Sequence, residues 1–142
     1  MLFGTDWHKS KRYSYIQSKL GNIKPVYKEE YNLVLNSAKI ALCFFSKINN
    51  DSYTRRTFEI PASGTMLLSE YSIESANILR PNIEAVYFSS PEELVSQAKI
   101  YLADDNARIN IANNGRAQVI KNHLPSSRAK QILDDYNHSN LT

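Results

Sequence analysis

The feature that most narrows the fold is a pair of short apolar runs, Ile40-Ala41-Leu42-Cys43-Phe44-Phe45 and Met66-Leu67-Leu68, with a polar stretch between them. Runs this short, bounded by polar residues, suit strands buried on both faces of a parallel sheet. The first predicts a fully buried strand over Ala38–Ser46, the second a strand over Thr65–Leu68. Between them Lys47–Ser52 reads as a polar loop and Tyr53–Ala62 as a helix, with Asp51 or Ser52 as its N-cap. Pro61 falls late in that helix and predicts a kink or an early end. Loops that leave buried strands are where α/β domains place their chemistry, so Asn49–Gly64 is the stretch to search.

The flanking sequence continues the alternation. Met1-Leu2-Phe3-Gly4 reads as the end of a strand and Gly4-Thr5-Asp6 as a turn. Tyr13, Ile16 and Leu20 are spaced for a helix over His8–Leu20, stopped at Gly21-Asn22. Tyr31, Val34 and Leu35 do the same for a helix over Tyr27–Ser37. Ser69–Leu79 is a mostly helical link broken by Pro81, and Ile83–Phe88 alternates like a strand. Ser90-Pro91-Glu92-Glu93 is a helix start with a capping serine, proline in the first turn and a capping-box glutamate. That helix is expected to reach about Leu102. A further helix begins at Asp104-Asp105-Asn106, burying Ile109, Ala112, Val119 and Ile120 and weakly interrupted at Asn114-Gly115. A last helix follows Leu124-Pro125, with Ala129, Ile132, Leu133 and Tyr136 inward and a tail from Asn137 that frays. The expected fold is α/β, a Rossmann-like three-layer domain with a mostly parallel sheet, spanning residues 1–142 as one domain. Its ligand edge is formed by Thr5–Lys9, Lys47–Ser52, Ser69–Tyr71 and Ser89–Ser90.

Charge and cysteine content bound the function. Seventeen basic against fourteen acidic residues leave a net charge of +3. That favours an anionic ligand and falls short of a nucleic-acid footprint. The single cysteine, Cys43, lies in the apolar run, as a buried thiol would in a reducing compartment, so the chain is expected to be cytoplasmic. No apolar run approaches the roughly 20 residues that span a bilayer, and no signal-peptide layout opens the sequence. His8, His123 and His138 have no metal-ligand spacing, so no metal is expected. With four glycines and no phosphate-cradling loop, a bound phosphate would rest on arginines and helix ends.

Asp51 and Glu59 lie about two helical turns apart, so a helical segment would turn both to one side, where carboxylates can accept a sugar or ribose diol. Their other reading is a helix cap and a solvated residue. Arg55 and Arg56 stand a turn inside the expected helix start, against its dipole. They read either as a phosphate site or as a solvated face paired with Asp51 or Glu59. His8, Lys9, Lys11 and Arg12 follow the first strand, a second clamp or an exposed helix face.

Asn49, Asp51, Tyr53, Thr54, Arg56, Thr57, Phe58, Glu59, Ile60, Pro61, Ala62 and Gly64, in that spacing, resemble the C-terminal half of the CgeB-like, spore-maturation-type glycosyltransferases of GT-B, two-Rossmann-domain architecture. Phe3, Gly4, Thr5, Trp7, Arg12 and Tyr15 look like that family's first strand and turn, and Ala38–Leu42 like its central strand. Pro91-Glu92-Glu93-Leu94, Gly115, His123 and Arg128 look like its closing helices. The resemblance implies a nucleotide-sugar donor, no metal, and transfer of a hexosyl group. Glu59 matches the ribose-contacting glutamate of the family's paired-acid motif, and Asp51 falls where its first acid would lie, as an aspartate. Arg12 and Arg56 match basic positions near the diphosphate, and Thr5, Asn49 and Arg55 belong to the same expected donor site. Only Gly21–Val26 occupies the place of one family strand, so the sheet is expected to lack it. The acceptor site and catalytic base would come from an N-terminal domain or partner. The alternative is a non-catalytic module that keeps the fold and docks a nucleotide or partner.

Overall fold

A computed structural model describes Thr5 and residues 7–139. The chain forms two compact units, Met1–Val34 and Leu35–Thr142. The expected first strand at Met1–Gly4 and the tail beyond Ser139 lie outside the described residues.

In the first unit a short 3-10 turn, Trp7–Lys9, precedes helix α1, Tyr13–Leu20. The predicted single helix from His8 is therefore split, by a turn at Ser10 whose hydroxyl accepts from Arg12 N–H at 3.2 Å. Gly21 stops α1 as expected: its φ of 79° is one that a side chain disfavours, and its N–H reaches back to Gln17 O. Helix α2, Lys28–Ser37, begins in this unit.

The second unit is a layered α/β domain. Strands β1 (Ile40–Cys43), β2 (Met66–Glu70) and β3 (Val86–Phe88) form a parallel sheet in that order. Helix α3 (Arg56–Ala62) connects β1 to β2, and α4 (Ile73–Ile78) connects β2 to β3. Helices α5 (Pro91–Ala103), α6 (Asp105–Asn122) and α7 (Pro125–Ser139) follow. Register places Ile40 beside Met66 and Leu68 beside Val86, so alternate side chains line each face. Met66, Leu68, Val86 and Phe88 pack with Ile111 and Ala112 of α6, flanked by Leu94, Ala98 and Tyr101 of α5. On the other face the Tyr87 hydroxyl sits 2.8 Å from the Ser75 and Leu79 carbonyl oxygens of α4. Burial there pushes the phenol up to about 12.

Several expectations change. β1 is shorter than Ala38–Ser46 and is an edge strand of the described sheet, with Leu42 44% exposed. β3 is three residues long, shorter than the strand expected over Ile83–Phe88, and Glu84 to Phe88 is buried throughout. On α6 the buried stripe is Arg108, Ile111, Ala112, Gly115 and Val119, while Ile109 and Ile120 face solvent. Gly115 does not interrupt the helix. A Cβ there would overlap the Glu84 carbonyl oxygen, so the glycine permits the close approach of α6 to the segment before β3. On α7 Ile132, Leu133 and Tyr136 are exposed, not inward, and the helix continues through Asn137 to Ser139. The α5 start is as read. Ser90 Oγ accepts from Glu93 N–H at 3.1 Å, and Glu93 returns a carboxylate to Ser89 N–H at 2.7 Å.

Candidate functional site

All three strands point one way, so their C-terminal ends deliver three loops to one edge of the sheet. These are the residues after Cys43, after Glu70 and after Phe88. The first is the longest. It folds back on itself because Asp51 closes a ring on Ser46: Asp51 N–H donates to Ser46 O at 3.0 Å, and Ser46 N–H donates to Asp51 Oδ2 at 3.3 Å. Asn49 N–H bonds the Ser46 hydroxyl at 3.2 Å, and Asn50 takes a left-handed φ of 52° that asparagine tolerates.

Asp51 is therefore neither a helix cap nor two helical turns from Glu59, because residues 51–55 are not helical. Thr54 opens α3 instead. Its hydroxyl accepts from Arg56 N–H, its N–H donates to Thr57 Oγ1, and its carbonyl accepts from Thr57 N–H. Asp51 is committed to Ser46, and the Ser52 carbonyl accepts from the Ser72 hydroxyl of the next loop. Arg55 and Arg56 thus occupy the N-cap and first helical positions, not a turn further in, and both are exposed. Glu59 lies one turn on, a third exposed, with Oε1 accepting from Arg55 Nε at 2.8 Å. Pro61 is buried in the last turn of α3, which runs past it to Ala62, the bound expected from sequence and not an earlier end.

The structure gathers Asn49, Asp51, Arg55, Arg56 and Glu59 on the β1–α3 connection. Arg12 and Thr5 belong to the other compact unit, both exposed, Arg12 at the start of α1 and Thr5 in a bend.

The same edge carries residues that sequence reasoning did not single out. Glu70 ends the central strand, accepts Phe45 N–H at 3.0 Å and pairs with Lys47. The Lys47 hydrogen bond and the Phe45 N–H outweigh desolvation and hold its carboxyl below the usual range. Ser72 caps α4 by accepting from Ser75 N–H at 2.9 Å, and its donated bond to Ser52 O stitches two of the three loops together. Three aromatic rings stand about half exposed here. Phe44 meets Phe88 edge-on at 5.5 Å, Tyr71 meets Tyr87 at 6.0 Å, and Tyr53 meets Phe58 at 6.1 Å. For Phe44 and Tyr71 the signal in the sequence was position alone, one residue past the ends of β1 and β2.

The chemistry of this edge is that of a polar, cationic and aromatic surface. Arginine and lysine suit phosphate oxygens, half-exposed rings suit a planar group, and a carboxylate suits a diol. Among the described residues no group of three or more His, Cys, Asp or Glu side chains is placed to hold a metal ion. No helix among them is long and apolar enough to cross a membrane. A recess of about 250 Å³ lies at the opposite, N-terminal edge, lined in part by Asn36, Lys39, Gly64, Met66 and Arg108. There Asp105 takes bonds from both Arg108 and Lys39, and none of Asn49, Asp51, Arg55, Arg56 and Glu59 lines it.

A family described as glycosyl transferase-like has a model that matches residues 1–134. No curated protein matches the chain.

Proposed function

The chain belongs to the glycosyl transferase-like family, and on that premise we propose that it binds a nucleotide-sugar donor at the C-terminal edge of its sheet, as the C-terminal half of a CgeB-like, GT-B glycosyltransferase. The observation that carries this reading is the β1–α3 connection. It sets Asn49, Asp51, Arg55, Arg56 and Glu59 between two parallel strands, at the edge where open α/β sheets take their ligands. In this reading Glu59 accepts the ribose hydroxyls, exchanging the Arg55 guanidinium for the diol. Arg55 and Arg56 lie against the diphosphate, and a half-exposed ring such as Tyr53 or Tyr71 flanks the base. Transfer breaks the bond from the anomeric carbon to the phosphate oxygen and forms one to the acceptor oxygen. The cationic side chains stabilise the departing diphosphate without a metal.

One observation favours a second reading, a module that binds the donor without turning it over alone. Two other acids on this edge are already engaged, Asp51 with Ser46 and Glu70 with Phe45 and Lys47. A carboxylate held that way is a poor general base. Acceptor and base would then come from an N-terminal domain or partner.

Calorimetry with UDP-, GDP- and TDP-sugars tests both readings. Binding of one of them, weakened at least tenfold in Glu59→Ala, is expected. No binding by any, or equal binding by the variant, overturns the donor site. Turnover of the bound donor with no partner added would overturn the second reading.

A further inference from the structure

His123 ends α6, and its ring touches two other elements. Its Nδ1 lies 2.7 Å from an Arg128 guanidinium nitrogen at the start of α7. Its ring centroid lies 5.3 Å from that of Phe58 on α3. A guanidinium can only donate, so Nδ1 must accept, and the imidazole is neutral with its proton on Nε2. Protonating Nδ1 removes the acceptor and sets two cations face to face.

Among the described residues, α7 is lightly held. The helix has no buried residue, and Ile132, Leu133 and Tyr136 each stay more than 60% exposed. Its start is tied back to α6 by the Arg128–His123 bond and by a longer one, 3.4 Å, from Ser127 Oγ to Lys121 O.

We propose that His123 is a proton-operated latch: as a neutral ring it seats α7 by holding Arg128, and on protonation it lets α7 swing free. The charged groups that act on the ring come from two elements. Arg128 on α7 opposes its protonation, and Glu84 before β3 favours it, although that carboxylate is already committed to Arg80. The C-terminal end of α6 also favours a cation. Burial of the ring, with Arg128 second, outweighs Glu84 and holds the imidazole below its ordinary value of 6.5. The sign follows. The unfolded histidine takes up a proton first, so the seated state is fully favoured above about pH 6.5 and loses ground as pH falls toward the folded midpoint. The latch does not depend on the donor reading.

The test uses the full chain. Nitrogen NMR of the His123 ring reports its tautomer and midpoint. Spin labels at Asn113→Cys and Lys130→Cys, both exposed, report the α6–α7 distance, while buried Cys43 stays unlabelled. At pH 8 the proton is expected on Nε2 with a narrow distance distribution, which broadens at pH 5. Arg128→Ala should raise the His123 midpoint and broaden the distribution already at pH 8. His123→Gln offers an acceptor that does not titrate, so α7 should stay seated at pH 5. A proton on Nδ1 at pH 8, equal distributions at both pH values, or an unmoved midpoint in Arg128→Ala would each overturn the latch.

Discussion

Two arginine–glutamate pairs in this chain share residue types and the same i,i+4 spacing, and they have opposite characters. Arg80–Glu84 precedes β3, and Arg55–Glu59 opens α3. The Glu84 side chain is 4% exposed. It accepts Arg80 Nε at 3.0 Å, Arg80 Nη2 at 2.6 Å and the Arg80 backbone N–H at 2.8 Å. Its own carbonyl lies under Gly115, and Asn114 donates to the neighbouring Ile83 carbonyl at 3.2 Å. Glu59 is a third exposed, on a two-turn helix at the loop-bearing edge. Spacing alone therefore does not say what a pair does. Burial makes the first a fastener of the turn before β3, against which α6 packs, whereas the second stays within reach of solvent.

The sharpest way to break that contrast is to neutralise the fastener. Burial alone would raise the Glu84 carboxyl, but hydrogen bonds from the Arg80 side chain and backbone overcome it and leave the group below its ordinary value of 4.5. Such a depressed carboxylate stabilises the fold fully above that value, and the contribution disappears as pH falls through the folded midpoint. Glu84→Gln should cost about 2 kcal/mol at neutral pH, read by urea unfolding. It should also flatten the acid limb of the stability–pH curve below pH 4.5, where Glu70 and Asp105, both shifted the same way, keep part of the slope. An unchanged urea midpoint would reduce Glu84 to the status of Glu59.

The glycine that lets α6 reach this fastener gives the next effect. Gly115→Ala gains helix propensity but drives a methyl into the Glu84 carbonyl oxygen, which backbone cannot easily yield. A net loss of about 1–3 kcal/mol is expected on thermal or urea unfolding. A neutral or stabilising result would mean that α6 stands farther from the sheet.

What could be read from sequence divides along the same line. Features settled within a few residues were legible: the Ser90–Glu93 capping box, the Gly21 stop, the order of strands and helices, and the parallel sheet that long connections require. Features settled by how turns close and elements pack were not. Arg108 is buried on α6 in place of Ile109 because the Tyr101 carbonyl and Asp105 receive its guanidinium. Ile132, Leu133 and Tyr136 have good helical spacing, but among the described residues they stay exposed. Glu84 looked like the polar half of an alternating strand until the Arg80 turn enclosed it. At the candidate site the polar stretch itself was legible, since it had to link two buried strands. The ring that Asp51 closes on Ser46, and the roles of Glu70 and Ser72, depend on how three loops meet.

The smallest expected effect carries the other half of the comparison. Arg55 is 88% exposed, and an i,i+4 surface pair of this kind is worth at most about 0.5 kcal/mol. Arg55→Gln should therefore leave the urea midpoint nearly unmoved, and 0.5 M salt should erase whatever difference remains at an order of about 0.3 kcal/mol. Donor binding should respond differently. If Glu59 must release Arg55 to accept a diol, the variant frees the carboxylate while removing a phosphate contact, so the two effects oppose each other. A nucleoside that carries the ribose diol without phosphates separates them: it should bind Arg55→Gln at least as well as the parent chain, whereas the corresponding diphosphate should bind it less well. Weaker binding of both ligands would mean that Arg55 orders Glu59 instead of competing with the ligand for it. The pair at α3 would then resemble the Arg80–Glu84 fastener more than its exposure suggests.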